Sequence, residues 1–262
     1  MAPIMRTKSQ TFRQYLPSGL LGIGAAIVLG AAWHGPAVSQ SPPLWPRDSG
    51  LPLRAILPVA AQVVFSDVDN RTTQGAAIES MVAQGIMLGR SPTEFAPNAS
   101  TTRGEFALAV QHMFNLPTLA QSAAIPDIPL GTQVYSAVQA IAPYYNQQLL
   151  CPGCALGQNF MPNQEISRGQ RTVALVSILV AQNRLQLLGR ADTDSVLANV
   201  ADASTLSQPA RAYFATAIKN GVVELTSGNR IDASLPVTRA ELAVLLNSVQ
   251  QKFSIPRAMT SP

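Results

Sequence analysis

A four-residue pattern of hydroxyl residue, arginine, small residue and Glu or Gln occurs three times in this chain. The copies are Thr102-Arg103-Gly104-Glu105, Ser167-Arg168-Gly169-Gln170 and Thr238-Arg239-Ala240-Glu241. A hydroxyl three positions ahead of Glu or Gln is a capping box: the hydroxyl accepts from the N3 amide and the N3 side chain returns to the N-cap amide. Thr102 with Glu105, Ser167 with Gln170, and Thr238 with Glu241 therefore predict three helix starts and are structural residues. The arginine between them runs against this grammar. A cation in the first turn faces the positive end of the helix dipole, at a cost of roughly 0.3–1 kcal/mol. Arg103, Arg168 and Arg239 must each be compensated, either by a partner within the fold or by an anionic ligand at the helix start.

Each tetrad closes a longer unit. Copy one, residues 65–117, opens at Phe65-Ser66-Asp67-Val68 and continues with Ile78, Met81 and Val82 at helical spacing. Gly85 is placed to end that helix. An apolar run Ile86–Leu88, a turn, Phe95-Ala96-Pro97-Asn98 and a second helix with the stripe Phe106, Val110, Met113, Phe114 complete it. Copy three, residues 199–253, repeats the plan with Asp202, a helix carrying Tyr213 and Phe214, Gly221, Ile231 and the stripe Leu242, Leu245, Leu246, Val249. Copy two, residues 125–182, is divergent. It opens at Asp127, its first helix runs from about Val134 to Ala142, and a Cys151-Pro152-Gly153-Cys154 insert precedes Phe160-Met161-Pro162-Asn163. Its second helix is apolar almost all round from Val173 to Val180, which predicts the deepest burial of the set. The opening aspartates Asp67, Asp127 and Asp202 precede Arg103, Arg168 and Arg239 by a nearly constant offset. They are expected to be structural, as N-caps or turn formers. The pattern predicts a mainly α fold.

The flanks differ in character. Arg6, Lys8 and Arg13, the uncharged run Leu20–Ala32 and the small residues before Ser39 read as an export signal over residues 1–39, cleaved between Ser39 and Gln40, with a retained anchor as the alternative. Export places the chain in the periplasm or at the cell surface. Residues 40–64 are a proline-rich linker, 183–199 connect copies two and three through an acidic loop, and 254–262 form a frayed tail. In an exported chain Cys151 and Cys154 are expected to close a small disulfide, with a redox or metal role as the alternatives. No metal site or cofactor is expected, because His112 is the sole histidine beyond the signal. Three of the 18 basic residues lie in the signal, which leaves 15 against 14 acidic ones. They are scattered, so a nucleic-acid partner is excluded as an expectation. No Ser/His/Asp set or phosphate loop can be assembled.

The three units resemble S-layer homology domains, on the strength of the pattern F-x-D-V, helix, A-x-x-G-I, turn, F-x-P, then T-R-A-E and a second helix, over Phe65 to Phe253. Thr238-Arg239-Ala240-Glu241 matches the family tetrad outright. The resemblance implies three helix-loop-helix repeats in a pseudo-threefold arrangement around a central helical bundle, with ligand grooves between neighbouring repeats. It implies a non-enzymatic envelope module, an envelope tether or accessory protein, that binds anionic, peptidoglycan-linked wall polysaccharide. In that reading Arg103, Arg168 and Arg239 reach the acidic group, and the turns at Gly85 and Gly221 line grooves. Tyr135 and Tyr213 stand in for groove tryptophans, which are absent between Phe65 and Phe253. Copy two lacks the Gly-Ile turn, so Arg168 is expected to contribute least. The alternatives are a degenerate module that binds an envelope protein and, behind it, a glycan hydrolase, which would need paired carboxylates.

Overall fold

The computed structural model describes residues 65–118, 125–144 and 159–256. The signal, the linker, the cysteine pair and the end of the tail lie outside the described residues. Within them are seven α-helices: α1 (Thr73–Ala83), α2 (Arg103–Phe114), α3 (Gln133–Ile141), α4 (Arg168–Ala181), α5 (Arg190–Leu197), α6 (Gln208–Lys219) and α7 (Arg239–Lys252). A short 3-10 turn spans Ala203–Thr205, and β pairing among the described residues is confined to isolated bridges.

All three capping boxes are formed, with both reciprocal hydrogen bonds present at α2, α4 and α7. The first helices of copies one and three stop where glycine permits a left-handed turn. Gly85 (φ +66°) and Gly221 (φ +58°) are followed by residues whose amides reach back to the last turn, Ile86 N to Met81 O at 2.9 Å and Val222 N to Ala217 O at 2.8 Å. The second helices close the same way through Asn115, Asn183 and Ser254, all at positive φ. Ser254 and Ile255 therefore belong to the cap of α7 rather than to a frayed tail: the Ile255 amide bonds Gln250 O at 3.0 Å and its side chain is buried.

Helix packing follows a closed order. The second helix of each copy packs on the first helix of the next: α2 on α3, α4 on α6, and α7 back on α1. At the last junction Gln84 and Gln250 exchange amide hydrogen bonds at 3.1 and 2.8 Å, tying the first copy to the third. The second helices carry the core. In α4, Val173 to Val176, Ile178 and Leu179 are all buried, as its unbroken apolar run predicts. The segment read as an acidic loop instead contains α5, packed on α6. Its acidic residues find cations on the neighbour, Asp194 with Arg211 at 3.5 Å and Asp192 with Lys219 at 3.9 Å.

Candidate functional site: the seams between copies

The residues just ahead of the three N-caps form a hydrogen-bonded ring. The Thr101 amide donates to Val237 O (2.7 Å), Val237 to Ile166 O (3.2 Å), and Ile166 to Thr101 O (2.9 Å). Outside this ring the first two amides of each second helix donate to the loop of the next copy. Arg103 and Gly104 reach Gln164 O and Pro162 O, Arg168 and Gly169 reach Leu235 O and Ala233 O, and Arg239 and Ala240 reach Ala99 O and Pro97 O, all at 2.8–3.0 Å. These are donors a helix start leaves unsatisfied, so each seam is built from groups that must bond somewhere. The small third residue of the tetrad follows from the same contact: a Cβ on Gly169 would stand 2.9 Å from Ala233 O.

The opening aspartates act on these loops, not on their own helices. Asp67 accepts from the amides of Phe95 (3.0 Å) and Ala96 (2.7 Å), Asp127 from Phe160 (2.8 Å) and Met161 (2.6 Å), and Asp202 from Ile231 (2.8 Å) and Asp232 (2.9 Å). In each pair the second residue is a non-glycine at positive φ: Ala96, Met161 and Asp232. Two charge-assisted hydrogen bonds hold a backbone that such residues rarely adopt. The sequence offers N-cap or turn-former roles for the aspartates; the partners lie about thirty residues away, and the local N-cap is not used. At Asp67 burial pushes the carboxyl pKa upward, and the amides of Phe95 and Ala96 outweigh it, so the net value is lowered.

Each motif arginine enters the copy that follows it. Arg239 is 3% exposed; its Nε donates to Phe95 O at 2.8 Å, one Nη donates to Leu88 O, and the other pairs with Glu105. Its guanidinium carbon lies 4.4 Å from the Phe95 ring centroid, within cation–π range. Burial lowers its pKa, and Glu105 opposes that shift. Arg90, from the surface, also reaches Glu105 at 3.4 Å. Arg103 is 1% exposed, donates to Gln164 Oε1 at 3.2 Å and lies 4.7 Å from the Phe160 ring centroid. Arg168 takes the corresponding place in copy three, with Nε to Ile231 O at 3.0 Å and Nη2 to Glu224 O at 3.3 Å. Ile231 supplies no ring there, and Arg168 remains half-buried. Arg239 and Arg168 thus staple the loop held by the aspartate to the turn after the first helix.

Of the other sequence-predicted residues, Gly85 and Gly221 sit at the turns that the arginines of the preceding copies approach through Leu88 O and Glu224 O. His112 Nδ1 bonds Gly85 O at 2.8 Å, and Lys252 Nζ stands 2.6 Å from where a Gly221 Cβ would be. Tyr213 is half-buried on α6, whereas Tyr135 on α3 is 9% exposed and packs with the core. Sequence reasoning missed Arg171, a buried cation one turn into α4; its signal is that Phe106 and Leu242 occupy the same tetrad-relative position. Among the described residues no cluster of three or more His, Cys, Asp or Glu could hold a metal, and no helix is long and apolar enough to cross a membrane.

Comparison with known proteins meets this geometry at copies one and three. The model of the S-layer homology domain matches residues 64–107 and 201–243. The chain is similar to an amylopullulanase of Thermoanaerobacterium thermosulfurigenes, with 24% identity over 72% of this chain and 10% of that protein. It is similar to the surface-layer 125 kDa protein of Lysinibacillus sphaericus, with 25% identity over 74% of this chain and 15% of the relative. It is also similar to exoglucanase XynX of Acetivibrio thermocellus, with 23% identity over 72% and 16%. The chain spans a sixth or less of the length of these relatives.

Proposed function

Since the chain is an S-layer homology domain protein, with that domain matched in its first and third copies, we propose that it is a non-enzymatic envelope module. It is exported, the middle unit serves as a third repeat, and the module binds anionic wall polysaccharide at a seam between repeats. The observation that carries this reading is the unequal exposure of the motif arginines. Arg103 and Arg239 are sealed inside their seams, whereas Arg168 is half-buried. The seam between copies two and three, with Arg168, the Gly221 turn, Lys252 and Tyr213, is the groove assigned to the polymer. A guanidinium there can meet a carboxylate through a charge-assisted hydrogen bond. The order expected from sequence, with Arg168 least important, is reversed in this proposal.

A second reading, an envelope protein as partner, is favoured by Met161 and Leu235, exposed apolar residues on corresponding loops of copies two and three. Sedimentation of the chain with wall sacculi, before and after removal of their polysaccharide, separates the two. Loss of binding on stripping, together with at least a tenfold weaker association of Arg168→Ala, supports the polysaccharide reading. Undiminished binding by Arg168→Ala refutes the assigned groove, and no sedimentation with intact sacculi favours the protein partner.

A further inference from the structure

Arg171 occupies a core position. It lies three residues past Arg168 on α4, where α2 has Phe106 and α7 has Leu242, both fully buried. It is itself 5% exposed, and its Nε is buried with no hydrogen-bond partner. No ion pair satisfies it among the described residues. Burial is the main influence lowering its pKa, and Arg168 adds to it, yet the value remains at about 10, so the group is charged at neutral pH. Glu241 is the carboxylate whose field favours that charge, but it is committed to the Thr238 amide at 2.9 Å. A buried guanidinium in this state lacks the hydrogen-bonded partner that buried ions require.

The surroundings indicate what could supply it. Arg168 and Arg171 are i and i+3 on the first turn of α4, so their side chains are neighbours. The backbone amides of Arg168 and Gly169 are already bonded to the next copy, so side chains alone would hold a ligand. Asp232, which acts on Arg168, is taken up by Arg230 at 2.9 Å and by the Thr226 hydroxyl at 2.6 Å. Arg230 also pairs with Asp202 at 3.8 Å, so Asp232 keeps part of its field for Arg168, and Arg171 is the guanidinium of the two whose Nε has no partner at hydrogen-bond distance. We propose that Arg171, with Arg168 at the rim, binds a small monovalent anion of halide type inside the seam between copies two and three. The burial of Arg171 restricts the ligand to a small ion, and its single unpartnered guanidinium to a monovalent one. The site shares Arg168 and its seam with the proposed polysaccharide groove, but Arg171 carries it, and its chloride response can fail or succeed whether or not the polymer binds.

The test is thermal unfolding of the whole chain at fixed ionic strength, with sodium gluconate replaced stepwise by sodium chloride. A ligand that binds only the folded state raises the midpoint by about 3–6 °C when present at ten times its Kd. The wild-type midpoint is expected to rise and saturate with chloride, and Arg171→Leu to lose that response. A wild-type midpoint that does not distinguish chloride from gluconate overturns the proposal, as does an unchanged response in Arg171→Leu. Should that variant not fold, crystals of the wild-type chain soaked in bromide decide the matter. An anomalous peak within hydrogen-bond reach of the Arg171 guanidinium supports the site, and none there refutes it.

Discussion

Replacing Arg239 by alanine tests whether the motif arginines hold the copies together. The side chain is almost wholly buried and spends its guanidinium on two carbonyls of copy one, Phe95 O and Leu88 O, and on Glu105. Truncation strands a buried carbonyl and removes the cation stacked on Phe95. Breaking a buried ion pair by deleting one partner typically costs about 3–5 kcal/mol. Here Glu105 keeps Arg90 and the Thr102 amide, and is not left unpaired. The lower half of that range, about 3–4 kcal/mol, is therefore expected. Arg168→Ala loses two carbonyl hydrogen bonds from a half-buried group with no carboxylate paired to it, for which about 1–2 kcal/mol is appropriate. Urea unfolding of both variants, with m-values compared to confirm that the unfolded reference is unchanged, measures the difference. A loss below about 1 kcal/mol for Arg239→Ala, or one no larger than for Arg168→Ala, would mean that the seams do not depend on the arginines as argued.

Two other perturbations address the clamps and the close approach. The lowered pKa of Asp67 contributes stability that is fully present above the unfolded value of about 3.9 and lost as pH falls through the folded value. Acid titration of stability should therefore show a shallower decline below about pH 4 in Asp67→Asn than in wild type, and parallel curves would contradict the assignment. Gly169→Ala places a methyl against Ala233 O and should cost about 1–3 kcal/mol in the same urea assay. A neutral effect would show that the seam can open to admit it.

Local chemistry was readable from the sequence and distant pairing was not. The capping boxes and the stops at Gly85 and Gly221 depend on residues within one turn of each other, and all stand as read. The aspartates were recognisable by their constant offset, but their acceptor role toward the loops depends on which strands of chain the topology brings together. The same holds for the arginines, which pair with the following copy instead of their own. α5 escaped because Asp192 and Asp194 favour a loop reading, and its helix is stabilised by Arg211 and Lys219 on α6. Arg171 escaped because a single charged residue ahead of an apolar run reads as a surface position. Alignment of the copies on their tetrads shows that it replaces Phe106 and Leu242.

The hydrogen-bonded ring of Thr101, Ile166 and Val237 has a consequence for how such a protein can vary. In an open solenoid a unit can be gained or lost at either end, since each unit meets only its neighbours. Here every copy is both donor and acceptor, and the third returns to the first. Deleting one leaves a donor facing no acceptor at one seam and a bare carbonyl at another. Architectures of this kind should change in whole sets of three, and a lone copy excised from the chain should not fold.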